Sequence, residues 1–146
     1  MNTLHSIVRG RTLYSIQQHW TVLEAARYMA EKNIGAAAVV DGNRCVGVFS
    51  ERDLMTRVIV AGRNAEQTPV SEVMTREIVA CLPQESYETG LRQMQQAKCR
   101  HLPIVANEGQ LLGFVSLRDL LQIELAEKDE ELRHIRGSEI AMIYQE

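Results

Sequence analysis

The sequence predicts an α/β (α+β) fold in which one plan, strand–helix–strand–strand–helix, is used twice and followed by a C-terminal helix. Three observations carry that expectation. The stretch Gly47-Val48-Phe49-Ser50-Glu51-Arg52-Asp53-Leu54 recurs as Gly113-Phe114-Val115-Ser116-Leu117-Arg118-Asp119-Leu120, and in each copy a glycine and two β-prone residues lead into a serine-opened helix. Upstream, Val22, Ala25, Ala26 and Met29 keep helical spacing, and the same spacing returns 65 residues later at Tyr87, Gly90, Leu91 and Met94. The offset is 66 at the recurring stretch (113 − 47), so one residue is inserted in the loop Asn107-Glu108-Gly109-Gln110, where insertions are tolerated. Internal repetition dictates architecture ahead of any short motif.

The first copy covers residues 7–62. Its lead-in, Ile7 to Ile16, is expected to supply an edge strand. Thr21 and Glu24 have capping-box spacing, and Trp20 is placed to staple the helix start to the core. The stripe from Val22 to Met29 marks a core-facing helix that stops near Asn33 and Gly35. Ala36 to Val40 then reads as a buried strand, because a helix stop precedes it and the Asp41-Gly42-Asn43 turn follows. The hairpin returns along Cys45 to Phe49, and Ser50 opens a helix of about three turns, carrying Leu54, Val58 and Ile59, which Ala61-Gly62 ends. Residues 63–69, polar and closing on Pro69, form the linker.

The second copy, 70–125, repeats the order: a lead-in from Val73 to Cys81 expected to add an edge strand, a helix capped by Ser86, the strand Leu102 to Val105, and a return strand into Ser116. Copies of about 55 residues bury a sheet poorly alone, so the two should pack together. Residues 126–146 form the helical tail. Leu121, Leu125, Leu132 and Ile135 keep a rough heptad seam, Lys128 interrupts it, and Gly137-Ser138 is expected to break or kink the helix.

A chain of 146 residues, 45% hydrophobic and 24% charged, is long enough for a real core. Its net charge of −3, without long single-sign runs, gives no basis for nucleic-acid or membrane-surface binding. Any anion has to be held locally. The longest apolar run, Ile34 to Val40, falls far short of the roughly 20 residues that span a bilayer, and no signal-peptide run follows the first residues. Cys45, Cys81 and Cys99 are widely spaced and form no CxxC pair, so they signal neither a disulfide framework nor a metal site. Reduced thiols and a cytoplasmic location fit them best. Phosphate-loop, dinucleotide, zinc-helix and nucleophile-elbow motifs are missing, so no catalytic residue is assigned and no enzyme is expected.

What remains is the repeated serine and aspartate. Ser50 with Asp53, and Ser116 with Asp119, have the spacing of a helix cap with an acid at its third position. They also place a hydroxyl and a carboxylate beside an arginine. Both readings stay open, as they do for His101, either a hydrogen-bonded structural residue or a ligand residue next to Arg100.

With the duplication and the twin Gly-x-x-Ser-x-Arg-Asp-Leu segments in hand, the chain resembles a tandem pair of CBS domains. The His101-Leu102-Pro103-Ile104-Val105 strand and the Val73-Met74-Thr75 lead-in belong to the same resemblance, which covers roughly Ile7 to Ile123. It is similar to the small stand-alone bacterial members of that family. The resemblance implies two βαββα units related by a pseudo-twofold, with clefts between them for adenosine-containing ligands such as AMP, ADP, ATP, NAD(H) or S-adenosylmethionine. It further implies a homodimer that acts on an unidentified regulated protein and needs no cofactor beyond its regulatory ligand, possible magnesium arriving with a polyphosphate.

By the same resemblance, Ser50 and Asp53 serve one cleft and Ser116 and Asp119 the other, for phosphate and ribose. Ser15 and Ile16, and Ile78 and Val79, would lie against adenine, with Gly35, Ala36, Arg100, His101 and Pro103 on the cleft walls. A carboxylate accepts hydrogen bonds from both ribose hydroxyls. Phosphate needs donors, which a helix start offers, and Arg52, Arg57, Arg100 and Arg118 could add charge-assisted bonds. Ala36 stands where the second unit has His101, so the clefts should differ, and the one holding Arg100, His101, Ser116 and Asp119 is expected to be better furnished for phosphate. The alternative is a structural or protein-interaction dimer with empty or vestigial clefts.

Overall fold

The computed structural model describes residues 2–144, with side chains described through Gly137. In chain order the elements are α1 (Leu4–Val8), β1 (Ser15–Gln17), α2 (Val22–Lys32), β2 (Ala36–Asp41), β3 (Arg44–Ser50), α3 (Glu51–Asp53), α4 (Tyr87–Ala97), β4 (His101–Val105), β5 (Leu111–Ser116) and α5 (Leu117–Tyr144). Strand β1 runs parallel to β2, and β2 antiparallel to β3. Strands β4 and β5 form the matching antiparallel hairpin. The register shifts at Val39/Val40 in one hairpin and at Ile104/Val105 in the other, the same place in both copies.

Local chemistry explains the helix ends. Thr21 accepts from the Glu24 amide and Glu24 reaches back to the Thr21 amide, so α2 starts on a complete capping box. Ser86 caps α4 through the Thr89 amide. At their C-termini both helices turn through a left-handed residue, Asn33 (φ 56°) and Lys98 (φ 55°). Asparagine is suited to that conformation and lysine much less so.

The core has three parts. One gathers Ile16, Val22, Met29, Val39, Phe49 and Val58 of the first repeat. Another gathers Cys81, Tyr87, Met94, Leu102, Ile104, Val115 and Leu120 of the second, joined by Leu4 from the start of the chain. Between the hairpins, Ala38 and Val40 meet Leu111, with Cys45 and Phe114 beside them.

Each lead-in docks on the other repeat. The Leu4 and His5 amides donate to the carbonyls of Glu85 and Pro83, each at 2.8 Å, and Val8 of α1 packs where a Cβ on Gly113 would stand only 2.7 Å from it. Thr75 bridges to Val48 of β3 through a pair of backbone bonds, against Gly47, where a Cβ would stand 2.8 Å from the Thr75 carbonyl oxygen. The two glycines of the repeated stretch are therefore the points at which a crossing segment lies flat on the last strand of the opposite repeat.

Four expectations are corrected. The lead-in from Ile7 to Ile16 is a strand only from Ser15, and a short helix capped by Thr3 precedes it. The lead-in from Val73 to Cys81 makes no strand; it touches the sheets through single bridges at Thr75 and Cys81, because a segment crossing between repeats cannot stay in register with either. After one α-turn, the helix opened by Ser50 widens to π-type turns over Leu54–Ile59, with the Val60 amide bonded to the Met55 carbonyl. Val58 is buried, whereas Ile59 is 66% exposed. Helix α5 runs through Gly137-Ser138 without a break, since one glycine costs a long helix only about 1 kcal/mol. Its seam residues Leu121, Leu125, Leu132 and Ile135 are exposed. Among the described residues no helix is long and apolar enough to cross a membrane.

Candidate functional site

The crossing of the lead-ins creates two clefts, each with one terminal Ser/Asp pair on its wall. The larger, about 640 Å³, is built on Ser50 and Asp53 and closed by Thr75, Ile78 and Val79 on one side and by Lys98, Arg100, His101 and Pro103 on the other. The smaller, about 250 Å³, is built on Ser116 and Asp119 and closed by the Arg11–Tyr14 segment, Gly35, Ala36 and Phe114. Only the larger falls within the roughly 300–1,000 Å³ usual for small-molecule sites.

Asp53 is buried, and both of its oxygens are in use. Oδ2 accepts from the Ser50 amide at 3.0 Å and the Ser50 hydroxyl at 3.1 Å. Oδ1 accepts from the Thr75 hydroxyl at 3.1 Å and lies 3.5 Å from Arg57 Nε. Arg57 is held over the carboxylate by a second bond, Nη1 to the Met74 carbonyl at 3.0 Å. The cap and the site are thus one constellation, and the same carboxylate starts the helix, anchors the lead-in and carries an arginine.

Asp119 is arranged differently. Its Oδ2 accepts from the Ser116 amide at 2.9 Å and pairs with Arg11 Nη1 at 3.2 Å. Burial would raise the carboxyl's pKa, but the hydrogen bonds from Ser116 and the Arg11 charge outweigh it and hold the group below its ordinary value. Arg57 has no counterpart here: the position 66 residues on is Ile123, which packs on the core.

The helix-start donors are less available than the sequence suggested. The Glu51 amide donates to the Gly35 carbonyl and the Leu117 amide to the Arg100 carbonyl, while the Asp53 and Asp119 amides are taken by Ser50 and Ser116. A phosphate here has to be held chiefly by side chains.

His101 stands in the wall between the clefts and lines both. Its ring stacks on Phe114, with centroids 5.4 Å apart and planes 9° from parallel. Burial lowers the imidazole's pKa, with Asp119 and Glu51 opposing and Arg100 adding to the fall. Arg100 itself lies on the Ser50/Asp53 cleft and not with Ser116 and Asp119, which overturns the expected grouping. The two residues share the larger cleft, and His101, the first residue of β4, alone reaches the smaller one as well.

Arg52, Arg57, Ile78, Val79 and Pro103 line the larger cleft, Ala36 the smaller, and Gly35 both, beneath the Glu51 side chain. Ser15 and Ile16 line neither; Ile16 is fully buried in the first core, paired with Val39, and Thr12 to Tyr14 take the place expected of them. Arg118 is exposed outside both clefts. Arg11, Thr75 and Lys98 also line the clefts, without a site signal of their own in the sequence. Thr75 lay within the recognised lead-in, whereas Arg11 sits in an aperiodic stretch that gives no signal. Among the described residues no group of three or more His, Cys, Asp or Glu is placed to hold a metal ion.

The two crossed repeats have a counterpart in a known family: the model for the CBS domain matches residues 9–60 and 70–126. The chain belongs to the CBS-domain family. CBS domains are regulatory and non-catalytic. The CBS domain-containing protein YhcV of Bacillus subtilis is 40% identical over 106 residues, 73% of this chain and 74% of that protein. The mitochondrial CBS domain-containing protein CBSX3 of Arabidopsis thaliana is 30% identical over 122 residues, 80% of this chain, and the CBS pair described here spans 59% of its length. A solved CBS-domain protein from Burkholderia ambifaria superposes with a TM-score of 0.77 at 34% identity, covering 86% of this chain and 95% of that one. The CBS pair of protein MJ0100, solved with 5′-methylthioadenosine and S-adenosyl-L-methionine, shares the fold at 18% identity and a TM-score of 0.73, covering 84% of this chain and 98% of its own.

Proposed function

We propose that this CBS pair is a cytoplasmic regulatory module that binds an adenine nucleotide (AMP, ADP, ATP or NAD(H)) in the Ser50/Asp53 cleft and passes its occupancy to a partner protein. One observation carries the reading: Arg52, Arg57, Lys98 and Arg100 converge on a cleft of about 640 Å³ that also offers Asp53 to a ribose. Four cations face three acids there, Glu51, Asp53 and Glu77, so phosphate finds a local positive excess on a chain of net charge −3. Ile78, Val79 and Pro103 supply the apolar slot for adenine. Magnesium would come with a di- or triphosphate.

Signalling follows from what the ligand displaces. A ribose on Asp53 competes with Thr75 and Arg57, and these tie the first repeat to the lead-in of the second. A ligand that prefers the released arrangement shifts the equilibrium between the two. The surface for a second copy is the π-helical end of the first repeat, where Met55, Ile59 and Val60 are 57%, 66% and 78% exposed; that surface also favours the interaction-module reading, in which the clefts are incidental.

A thermal-shift series with AMP, ADP, ATP and NAD(H) separates the two readings. A ligand at 100 times its dissociation constant adds about 2.7 kcal/mol of stability. Arg57→Ala together with Arg100→Ala should abolish that gain while leaving the ligand-free melting point within a few degrees. If no adenine nucleotide moves the melting point, the interaction module is the better account.

A further inference from the structure

Helix α5 leaves the body of the molecule part-way along its length. Its base is anchored: Leu120 is fully buried in the second core, and the Glu127 carboxylate accepts from the Asn2 side chain and the Tyr87 hydroxyl, both at 2.6 Å. From Lys128 to Gly137 every residue is exposed, although the helix runs on to Tyr144. A projecting helix of that length is marginal in water on propensity alone, and this one carries the apolar seam Leu121, Leu125, Leu132 and Ile135, which the repeats leave exposed. The seam has the alternating four- and three-residue steps of a coiled coil. Those steps place Lys128 on the same line, and beyond Ile135 they reach positions 139 and 142, a glutamate and a methionine.

The order of charges along that line selects one way of covering it. Two such helices laid antiparallel about a midpoint between residues 133 and 134 set Leu132 against Ile135, Leu125 against Met142, and Lys128 against Glu139. Apolar residues then meet apolar ones, and the two charges on the line meet each other. Beside the seam, the same arrangement brings Asp129 to Arg136. The alternatives do not. Parallel helices in register put Lys128 on Lys128 and Glu139 on Glu139, and slipping the antiparallel pair by seven residues puts Lys128 on Leu132 or Glu139 on Ile135. Lys128 already holds Glu124 one turn below, at 3.0 Å, and an ammonium with three donors can serve both carboxylates. We infer that α5 pairs antiparallel with α5 of a second copy of this chain, Lys128 of each facing Glu139 of the other. This surface is separate from the π-helical end of the first repeat and independent of what the clefts bind.

Sedimentation velocity of the full chain tests it, with Ile59→Glu placing a charge on the π-helical surface so that α5 is read alone. That chain should be a dimer at micromolar concentration. Adding Lys128→Glu sets two glutamates face to face and should weaken the dimer at least tenfold, and adding Glu139→Lys instead sets two lysines face to face and should do the same. The two exchanges together restore opposite charges and should return the dissociation constant to within a few-fold of its starting value, a rescue that a role for Lys128 within its own helix does not give. Lys128 lies where α5 has left the repeats, so the melting point should hold in every variant and serves as the check on folding. Should Ile59→Glu perturb the repeats, the same exchanges in the unaltered chain read the loss and the rescue in its largest assembly. A monomeric Ile59→Glu chain that melts normally, single exchanges without effect, as parallel pairing would give, or a double exchange no tighter than the single ones overturns the inference.

Discussion

The two repeats agree where they hold backbone and diverge where they face a cleft. Gly47 and Gly113 each receive a crossing segment, both hairpins shift register at the same point, and both Ser/Asp pairs cap a helix. At the walls the matched positions read Gly35 against Arg100, Ala36 against His101, and Glu51 against Leu117. Even the neutralisation of the capping carboxylate is solved twice over, by Arg57 from the same helix in one cleft and by Arg11 from the opposite lead-in in the other. A duplicated fold keeps the positions its packing requires and frees the rest, and because the lead-ins cross, a change in one repeat refurnishes the site of the other.

The comparison can be broken most forcefully in the cores. Phe49, fully buried, is matched by Val115. Phe49→Ala should cost about 3–5 kcal/mol and Val115→Ala about 2 kcal/mol in denaturant melts. Equal costs would mean that the second core leans on neighbours the first lacks. Next come the crossing points. Gly47→Ala and Gly113→Ala should both cost roughly 1–3 kcal/mol by overpacking, because the new methyl meets the Thr75 carbonyl and Met74 in the first and the branched Val8, at its Cβ as well as its methyls, in the second; a large difference between them in denaturant melts would mean that only one crossing segment can give way.

Acid should act on the shared wall first and on the smaller cleft's carboxylate afterwards. The His101 imidazole titrates below its ordinary 6.5 in the folded protein, so the unfolded chain takes up that proton first. Stability is full above about 6.5 and falls as pH drops through the lowered folded value. Asp119, held below 3.8, adds a second decline below that pH. Melting temperatures from pH 8 to pH 3 should show both steps, and His101→Asn should remove the upper one alone. The smallest contrast lies in the caps: Thr21→Ala should cost about 1 kcal/mol, and Ser86→Ala about half that, since only the Thr21 box is reciprocated.

The fold was legible because its signals are periodic. Duplicated helical stripes, capping spacings and the two hairpins need only local chemistry, and the structure follows them. The lead-ins were misread because their partners are remote: Thr75 pairs with Val48 and Leu4 with Glu85, contacts that leave no periodic trace. The site was legible in its Ser/Asp anchors and illegible in its walls for the same reason. Arg100 and His101 are neighbours in sequence, yet Arg100 serves only one cleft while His101 stands between two. That separation is a property of crossing strands, and no spacing within one segment encodes it.

The docking of α1 on the second repeat has a temporal consequence. Leu4 emerges from the ribosome ahead of the repeat that buries it, and Glu85 and Pro83, which receive the first amides of α1, follow only after the whole first repeat has been made. At the roughly 5–20 residues per second of synthesis, that is several seconds in which Leu4 and Val8 have no partner. A segment translated before the first repeat is thus seated only after it, closing a loop of about 80 residues whose entropy must be met by contacts the second half has already formed. The chain buckles shut from behind.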